Sequence, residues 1–215
     1  MSAQTFFGPA LGIGAMFFAG FFILDLLVKR GTTKSFDIGG IKGLRVAGTG
    51  VPKIGARWAP VMRGLTQLGG PVVRYAIAVP ACAWLAWQGN APRALWAALA
   101  MASGWLVDGI AKKIFKRTRP DLVPRLAAAG GPSFPSGHTL NSALVYCVLA
   151  IAFAPLIGPG ATTAALIAAV APSACVGFSR VWLGVHWPSD VIAGWCLGTG
   201  WWLAAFASGT RLLGS

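Results

Sequence analysis

Apolar residues fall into six long, nearly uninterrupted blocks, near Phe6–Val28, Pro71–Gly89, Pro92–Ala111, His138–Leu156, Ala161–Ser179 and Pro188–Ala207. A helix needs about 20 mostly apolar residues to cross a bilayer, so each block is long enough to make one span. The first block exceeds the roughly 7–15 apolar residues of a secretory leader, and no small-residue cleavage site follows it, so it is read as a retained span. Small residues crowd Ala97–Ala102 and Ala161–Ala171, a composition that lets helices approach closely in lipid. The pattern predicts an all-α fold, an integral membrane six-helix transmembrane bundle. With six spans, the loops after the first, third and fifth share one side of the membrane.

Two segments between the blocks break this pattern. Lys29–Gly70 is polar, basic and Gly-rich, but its later part, Ala56–Leu68, has Trp58, Val61, Met62, Leu65 and Leu68 at helical spacing. That spacing predicts a short interfacial helix between the first and second spans. Lys113–Gly137 joins the third and fourth spans and carries most of the remaining charge. No internal repeat or low-complexity tail interrupts the chain, so residues 1-215 are read as a single domain.

Composition removes the competing classes. Hydrophobic residues make up 56% of the chain and charged ones 11%, against about a quarter charged in a soluble domain, so buried helices of a soluble protein are set aside. Disorder and collagen fail on the apolar content and on the lack of any Gly period. The four Cys (Cys82, Cys147, Cys175, Cys196) lie in apolar runs without metal-ligand spacing and read as small hydrophobes. Of the ten Trp, Trp58, Trp182, Trp187, Trp201 and Trp202 fall near block ends, where interfacial anchoring is the expected role.

The charge balance narrows the partners. Lys and Arg total 18 against five Asp, with no Glu, for a net +13. Nucleic-acid binding calls for a solvated basic face with aromatics, and here the aromatics sit in the apolar blocks. No nucleic acid is expected. Membrane lipids and a phosphate-bearing substrate fit the excess positive charge, while the sequence carries no statement on oligomeric state.

The residues able to do chemistry cluster at block ends on the basic side. Of two histidines, His138 closes Pro135-Ser136-Gly137-His138 at the start of the fourth block. A Ser-Gly pair there either leaves free N–H groups facing an anion or supplies a helix cap through Ser136, and both readings stay open. His186 stands in Ser179-Arg180-x5-His186-x3-Asp190. Asp190 either accepts the imidazole Nδ1–H, leaving Nε2 as a nucleophile, or complements the helix N-terminus; Arg180 is then a snorkelling cation. Lys112 and Arg119 lie two helical turns apart, on one face of a helix that continues that far, with Lys116 able to join them. Lys113, Lys116 and Arg117 read equally well as a headgroup cluster. Positive charge, an anion-binding helix start and two imidazoles together suit phosphoryl transfer. Scattered carboxylates and two His without Cys or Glu make a poor metal site, so neither metal nor other cofactor is expected.

Lys112-x6-Arg119-Pro120, Pro135-Ser136-Gly137-His138 and Ser179-Arg180-x5-His186-x3-Asp190 resemble, in order and spacing, the three signature motifs of the type 2 phosphatidic acid phosphatase superfamily, membrane-bound branch. The motif core runs over residues 111-190. The resemblance implies a hydrolase of lipid phosphate monoesters or diphosphates such as phosphatidate, phosphatidylglycerophosphate, polyprenyl diphosphate or lipid A. It implies His186 as nucleophile forming a phosphohistidine, Asp190 orienting it, and His138 as acid and then base. Lys112, Arg119, Ser136, Gly137 and Arg180 are then the phosphate-binding residues. A membrane phosphatase or phosphotransferase acting on a soluble phosphate ester or sugar phosphate is the alternative; a transporter is disfavoured, because few polar groups besides Asp25, Arg74 and Asp108 lie in the spans.

The cell (inner) membrane is the expected location, and two signals disagree over the face. Fifteen Lys and Arg lie on the active-site side against Arg93 and Arg211 on the other, which by the positive-inside rule puts the site in the cytoplasm. Many bacterial relatives work on the extracytoplasmic face instead. That habit is preferred here, since a basic loop can also serve to gather anionic lipids.

Overall fold

A computed structural model describes residues 3–213 of this chain, with side chains from 8 to 209; Arg211, counted above, falls outside the described side chains. The described backbone is helical, with a lone antiparallel bridge between Arg45 and Pro52 as its sole extended pairing. The helices are α1 (Ala3–Lys29), α2 (Lys34–Gly43), α3 (Ala59–Gln67, entered through a 3-10 turn at Ala56–Trp58), α4 (Pro71–Trp87), α5 (Ala91–Ile114), α6 (Gly137–Ala152), α7 (Ala154–Trp182) and α8 (Pro188–Leu213).

Five segments are long and apolar enough to cross a membrane: Gly8–Lys29, Ala56–Trp87, Ala91–Ile114, Ala154–Trp182 and Pro188–Gly209. Helix α6 is the exception, with 16 residues; at 1.5 Å per residue it is about 24 Å long against a hydrocarbon core of about 30 Å. It nevertheless runs the same course as α5. Its start (Leu140) shares a core cluster with the end of α5 (Ala111), and its end (Val148, Ala152) packs with the start of α5 (Ala94, Ala97).

Helix α8 organises the bundle. Phe21 of α1 meets Ala193 and Leu197, while Ala10 meets Leu203 and Ala207, so α1 and α8 are antiparallel. Against α6 the packing is parallel and close. A Cβ on Gly194 would come within 2.6 Å of the Ser136 carbonyl oxygen, and one on Gly198 would collide with the carbonyl of Leu140. Gly194 and Gly198 are spaced by four on one face, the small-xxx-small arrangement that lets two backbones touch. The starts of α6 and α8 therefore lie side by side.

Several expectations are corrected. Lys29–Gly70 is not a loop ahead of one helix, since α2 forms inside it with Asp37 and Ile41 buried. The spacing across Lys112 and Arg119 does not stay helical, because α5 stops at Ile114 and Phe115 leaves the α region. The Ala161–Ala171 stretch is mostly exposed, so close approach occurs at the α8 glycines instead. Trp182 is fully buried, and the Trp201 indole donates to Ser103 Oγ at 3.0 Å inside the bundle, so neither is an interfacial anchor. Helices α6 and α7 are separated by Phe153 alone, inside the fourth block, and the chain bends further on at Gly158, whose φ of 76° suits glycine.

Candidate active site

Four helix ends meet at one end of the bundle: the last turns of α5 and α7 and the first turns of α6 and α8. The α7–α8 link is short and tightly bonded. Gly184, at φ 72°, reverses the chain, and the N–H groups of Val185 and His186 both donate to the Arg180 carbonyl. That turn buries His186, 2% exposed, beneath the start of α8. Pro188 occupies the first helical position, where its missing N–H costs nothing. Asp190, three residues past Trp187, reaches back and accepts the Trp187 N–H at 2.9 Å, the carboxylate half of a capping box.

Asp190 Oδ2 also lies 3.4 Å from His186 Nδ1, within ion-pair reach but not aligned as a hydrogen bond. On the other side of the ring, Arg119 Nη1 stands 2.9 Å from His186 Nε2. A guanidinium has only donors, so Nε2 is the acceptor and the ring proton sits on Nδ1, facing Asp190. Burial, first of all, lowers the His186 pKa from 6.5 to about 4, with Arg180 and Arg119 adding to the effect and Asp190 opposing it. The imidazole is thus neutral at neutral pH, with its Nε2 lone pair held by a cation.

Arg119 is fixed by carbonyls. Its Nε donates to Gly131 O at 3.0 Å, Nη2 to Gly130 O at 2.8 Å, and Nη1 also to Val185 O at 2.8 Å. Burial lowers its pKa, and Asp190 works against that. Arg180, in the last turn of α7, donates to Thr66 Oγ1 at 3.0 Å, while its buried Nε has no partner.

The α6 start completes the arrangement. Ser136 precedes the helix, but its hydroxyl makes no cap; its N–H donates to Asp190 O at 2.9 Å and its Oγ accepts from Thr139. At Gly137 a Cβ would come within 2.6 Å of Lys112 Nζ and 2.5 Å of Asp108 Oδ2, so Lys112, paired with Asp108 at 3.0 Å, lies against the free N–H groups of the first turn. The cations Arg180, Lys112 and Arg74 and the His186 ring are close enough to act on His138. All eight residues singled out in the sequence converge at this end.

Three further residues belong to it. Arg117 donates to Asp190 Oδ1 at 2.7 Å, to Ser189 Oγ at 2.8 Å and to Asp37 Oδ2 at 2.7 Å. Asp37, from α2, accepts from the Ser189 N–H and hydroxyl. The reading of Arg117 as a headgroup cation and of Asp37 as a scattered carboxylate is therefore corrected: they are the buried support of Asp190. No local signal marks Asp37, in a Gly-rich stretch 153 positions before Asp190; only folding joins them.

Comparison with known proteins bears on the family and the fold. A family model described as the PAP2 superfamily matches residues 93–212. Phosphatidylglycerophosphatase B of Bacillus subtilis is 34% identical over 141 residues, 64% of this chain and 68% of that one. The undecaprenyl-diphosphatase of Sulfolobus acidocaldarius is 38% identical over 74 residues (31% of this chain, 29% of that one). The lipid A 1-phosphatase of Rhizobium etli is 31% identical over 105 (45% and 41%). The chain thus spans less than half the length of these last two. A crystal structure of a transmembrane PAP2-type phosphatidylglycerolphosphate phosphatase from Bacillus subtilis superposes with a TM-score of 0.79 at 28% identity, covering 89% of this chain and 93% of that one. With the matched segment taking in more than half of its residues, this multi-pass membrane protein belongs to the PAP2 superfamily.

Proposed function

We propose that this chain is a lipid phosphatase, hydrolysing a phosphate monoester or diphosphate borne on a lipid through a phosphohistidine at His186. The observation that carries this reading is the buried, neutral His186, with Nε2 against Arg119 and Nδ1 toward Asp190. An incoming phosphate takes over the Arg119 donor and frees the Nε2 lone pair for in-line attack. The bond from phosphorus to the leaving oxygen breaks, and His138 gives that oxygen its proton. His138 then accepts a proton from water as the hydroxide attacks the phosphohistidine, breaking the P–N bond and restoring both histidines. Lys112, Arg119, Arg180, Ser136 and the Gly137 N–H hold the phosphoryl oxygens; the unpartnered Nε of Arg180 is a donor awaiting such an oxygen.

The chemistry runs without metal in this reading, because the carboxylates a divalent ion would need are neutralised by Lys112 and Arg117. Residues 1-215 act as one unit with six crossings, α6 included, and α3 lies at the interface with Trp58 and Val61 outward. The names of the three relatives share a lipid-borne phosphate as substrate. The site opens on the extracytoplasmic face of the cell membrane. The charge count is weaker than it looks, since Arg45, Lys112, Arg117, Arg119 and Arg180 are engaged inside the fold.

A phosphate-release panel over phosphatidate, phosphatidylglycerophosphate, a polyprenyl diphosphate, lipid A and soluble phosphate esters, with and without EDTA, tests this reading. Lipid substrates are turned over fastest, EDTA has no effect, orthovanadate inhibits, and an alkaline detergent quench with substrate labelled in the transferred phosphate traps a phosphoenzyme that is lost on acid treatment. Preference for the soluble esters, or an EDTA-sensitive rate, overturns it. Labelling of a cysteine placed at Thr49 by an impermeant maleimide from outside the cell tests the face.

A further inference from the structure

Arg74 lies in the first turn of α4, its N–H donating to Gly70 O at 3.1 Å. A Cβ on Gly69, two residues ahead of α4, would collide with the carbonyl of His138, so α4 starts against the start of α6, and Arg74 is near enough to act on His138. Its side chain is 7% exposed, and its polar and cation–π contacts among the described residues are both to the neighbouring Tyr75: a long bond of 3.4 Å to the hydroxyl and an approach of 4.9 Å to the ring centroid, neither of which neutralises the charge. Among the described residues no carboxylate pairs with it: Asp25, Asp37, Asp108 and Asp190 are held by Lys29, Arg117 and Lys112, and Asp121 lies exposed in the loop after Pro120. A cation within a membrane helix is costly and marks a functional contact by default.

The surroundings say what that contact is. Arg74 and Tyr75 stand at one end of a groove of about 330 Å³ between α4 and α5, continued by Ala78, Val79, Met101 and Trp105. Val79 and Trp105 are 63% and 58% exposed on the outside of the bundle, where the hydrocarbon of the bilayer lies. An apolar trough with one uncompensated guanidinium at its end is complementary to a lipid chain that ends in an anion. Because Arg74 acts on His138 and is not among the charges acting on His186, the anion belongs to the leaving group, not to the phosphoryl group under attack.

We propose that Arg74 is a second phosphate-binding site that holds a phosphoryl group within the leaving group of the substrate, with the lipid chain in the α4–α5 groove. This rests on the lipid-phosphatase reading and sharpens its substrate class: lipids with two phosphoryl groups are favoured over phosphatidate, which has one. In a diphosphate the bound group is the phosphate next to the lipid; in a phosphatidylglycerophosphate it is the phosphodiester. Binding there also stabilises the negative charge that gathers on the leaving side.

The test measures kcat/KM for phosphate release by the full-length protein in mixed micelles. Polyprenyl diphosphate, phosphatidylglycerophosphate and phosphatidate are compared for the native chain, Arg74→Gln and Arg74→Lys. Arg74→Gln lowers turnover of one or both two-phosphate lipids by about 30-fold, the scale of one charge-assisted contact, and that of phosphatidate by about threefold or less. Arg74→Lys recovers most of the loss, and a loss on one two-phosphate lipid only names the source. Equal losses on all three lipids, or none on any, overturn the inference. The native chain gives a second readout in case the variants misfold: a polyprenyl methylenediphosphonate inhibits at least about tenfold more strongly than the matching monophosphonate, and equal inhibition overturns the inference. A native chain that releases phosphate from no lipid fails the phosphatase reading instead.

Discussion

The two ends of this bundle are held by different physics. At the site end, Asp37, Arg117, Ser189 and Asp190 bond one another across gaps of 72 to 152 residues. At the far end, where α6 gives way to α7, polar needs are met locally: Thr162 Oγ1 donates to Gly158 O four residues back at 2.7 Å, beside the Gly158 bend. Elsewhere at that end the contacts are mainly apolar, as in the Trp84–Phe153 stack at 5.5 Å, with the Trp96 indole donating to Ala205 O at 2.9 Å as a neutral long-range bond, and a cavity of about 560 Å³ remains between α1, α7 and α8. A membrane helix tolerates a bend if its own hydroxyls rebond the freed carbonyls. Holding a buried carboxylate beside an imidazole takes a fixed cation from another part of the chain. The rigid end is therefore the one that must place atoms for chemistry, and the looser end has only to fill the bilayer.

Substitutions can break this contrast in order of size. His186→Ala is expected to lower phosphate release at least about 10³-fold, the loss typical of removing a covalent nucleophile, while the protein stays helical in the membrane; near-normal release would remove His186 from that role. Next comes Arg117→Ala, which strands two buried carboxylates and is expected to cost about 3–5 kcal/mol in denaturant unfolding in detergent, with activity falling alongside. A small cost would show that the long-range network does not hold the site end. Gly194→Val is expected to cost about 1–3 kcal/mol by forcing α8 from α6, and to lower kcat and raise KM together in the release assay, because it parts Asp190 from Ser136, itself a phosphate-holding residue in this reading.

The pH profile sharpens the comparison further. With the His186 pKa lowered to about 4 from 6.5, the folded protein binds fewer protons than the unfolded one between these values. Stability is then complete above about 6.5 and declines as the pH falls toward 4. The acid limb of kcat/KM set by the nucleophile is expected near pH 4, falling about tenfold per pH unit below it; a limb near 6.5 would mean that His186 is not desolvated. Smallest is Thr162→Val at the far end. Losing one local side-chain bond is expected to cost about 1 kcal/mol or less with activity unchanged, measured in the same unfolding and release assays.

Most of the helices and every motif residue were legible in the amino-acid order, because their signals are local. An apolar block long enough to span lipid declares itself within its own residues, and so do a Ser-Gly before a helix and a Pro188 that opens one. The α2 helix was not legible, since its Gly-rich stretch carries little helical propensity and is held by burial of Asp37 and Ile41. Arg117 looked like one more interfacial cation for the same reason: its partners lie in α2 and α8. Trp182 and Trp201 sit near block ends, where sequence position alone cannot tell a buried indole from one at the water interface.

What the chain's order determined by itself is its solvent and its chemistry: helices that cross a bilayer, and a set of imidazoles and cations suited to phosphate. What tertiary structure alone decided is the support of that chemistry. Asp37 and Arg117 now fix Asp190, the Gly194–Gly198 face brings α8 onto α6, and Arg74 is left buried without a counter-ion among the described residues. The physical reason is range. Hydrophobicity and helix starts act over neighbouring residues, whereas a buried charge is satisfied by whichever group the packing brings within about 3 Å, however distant in the chain.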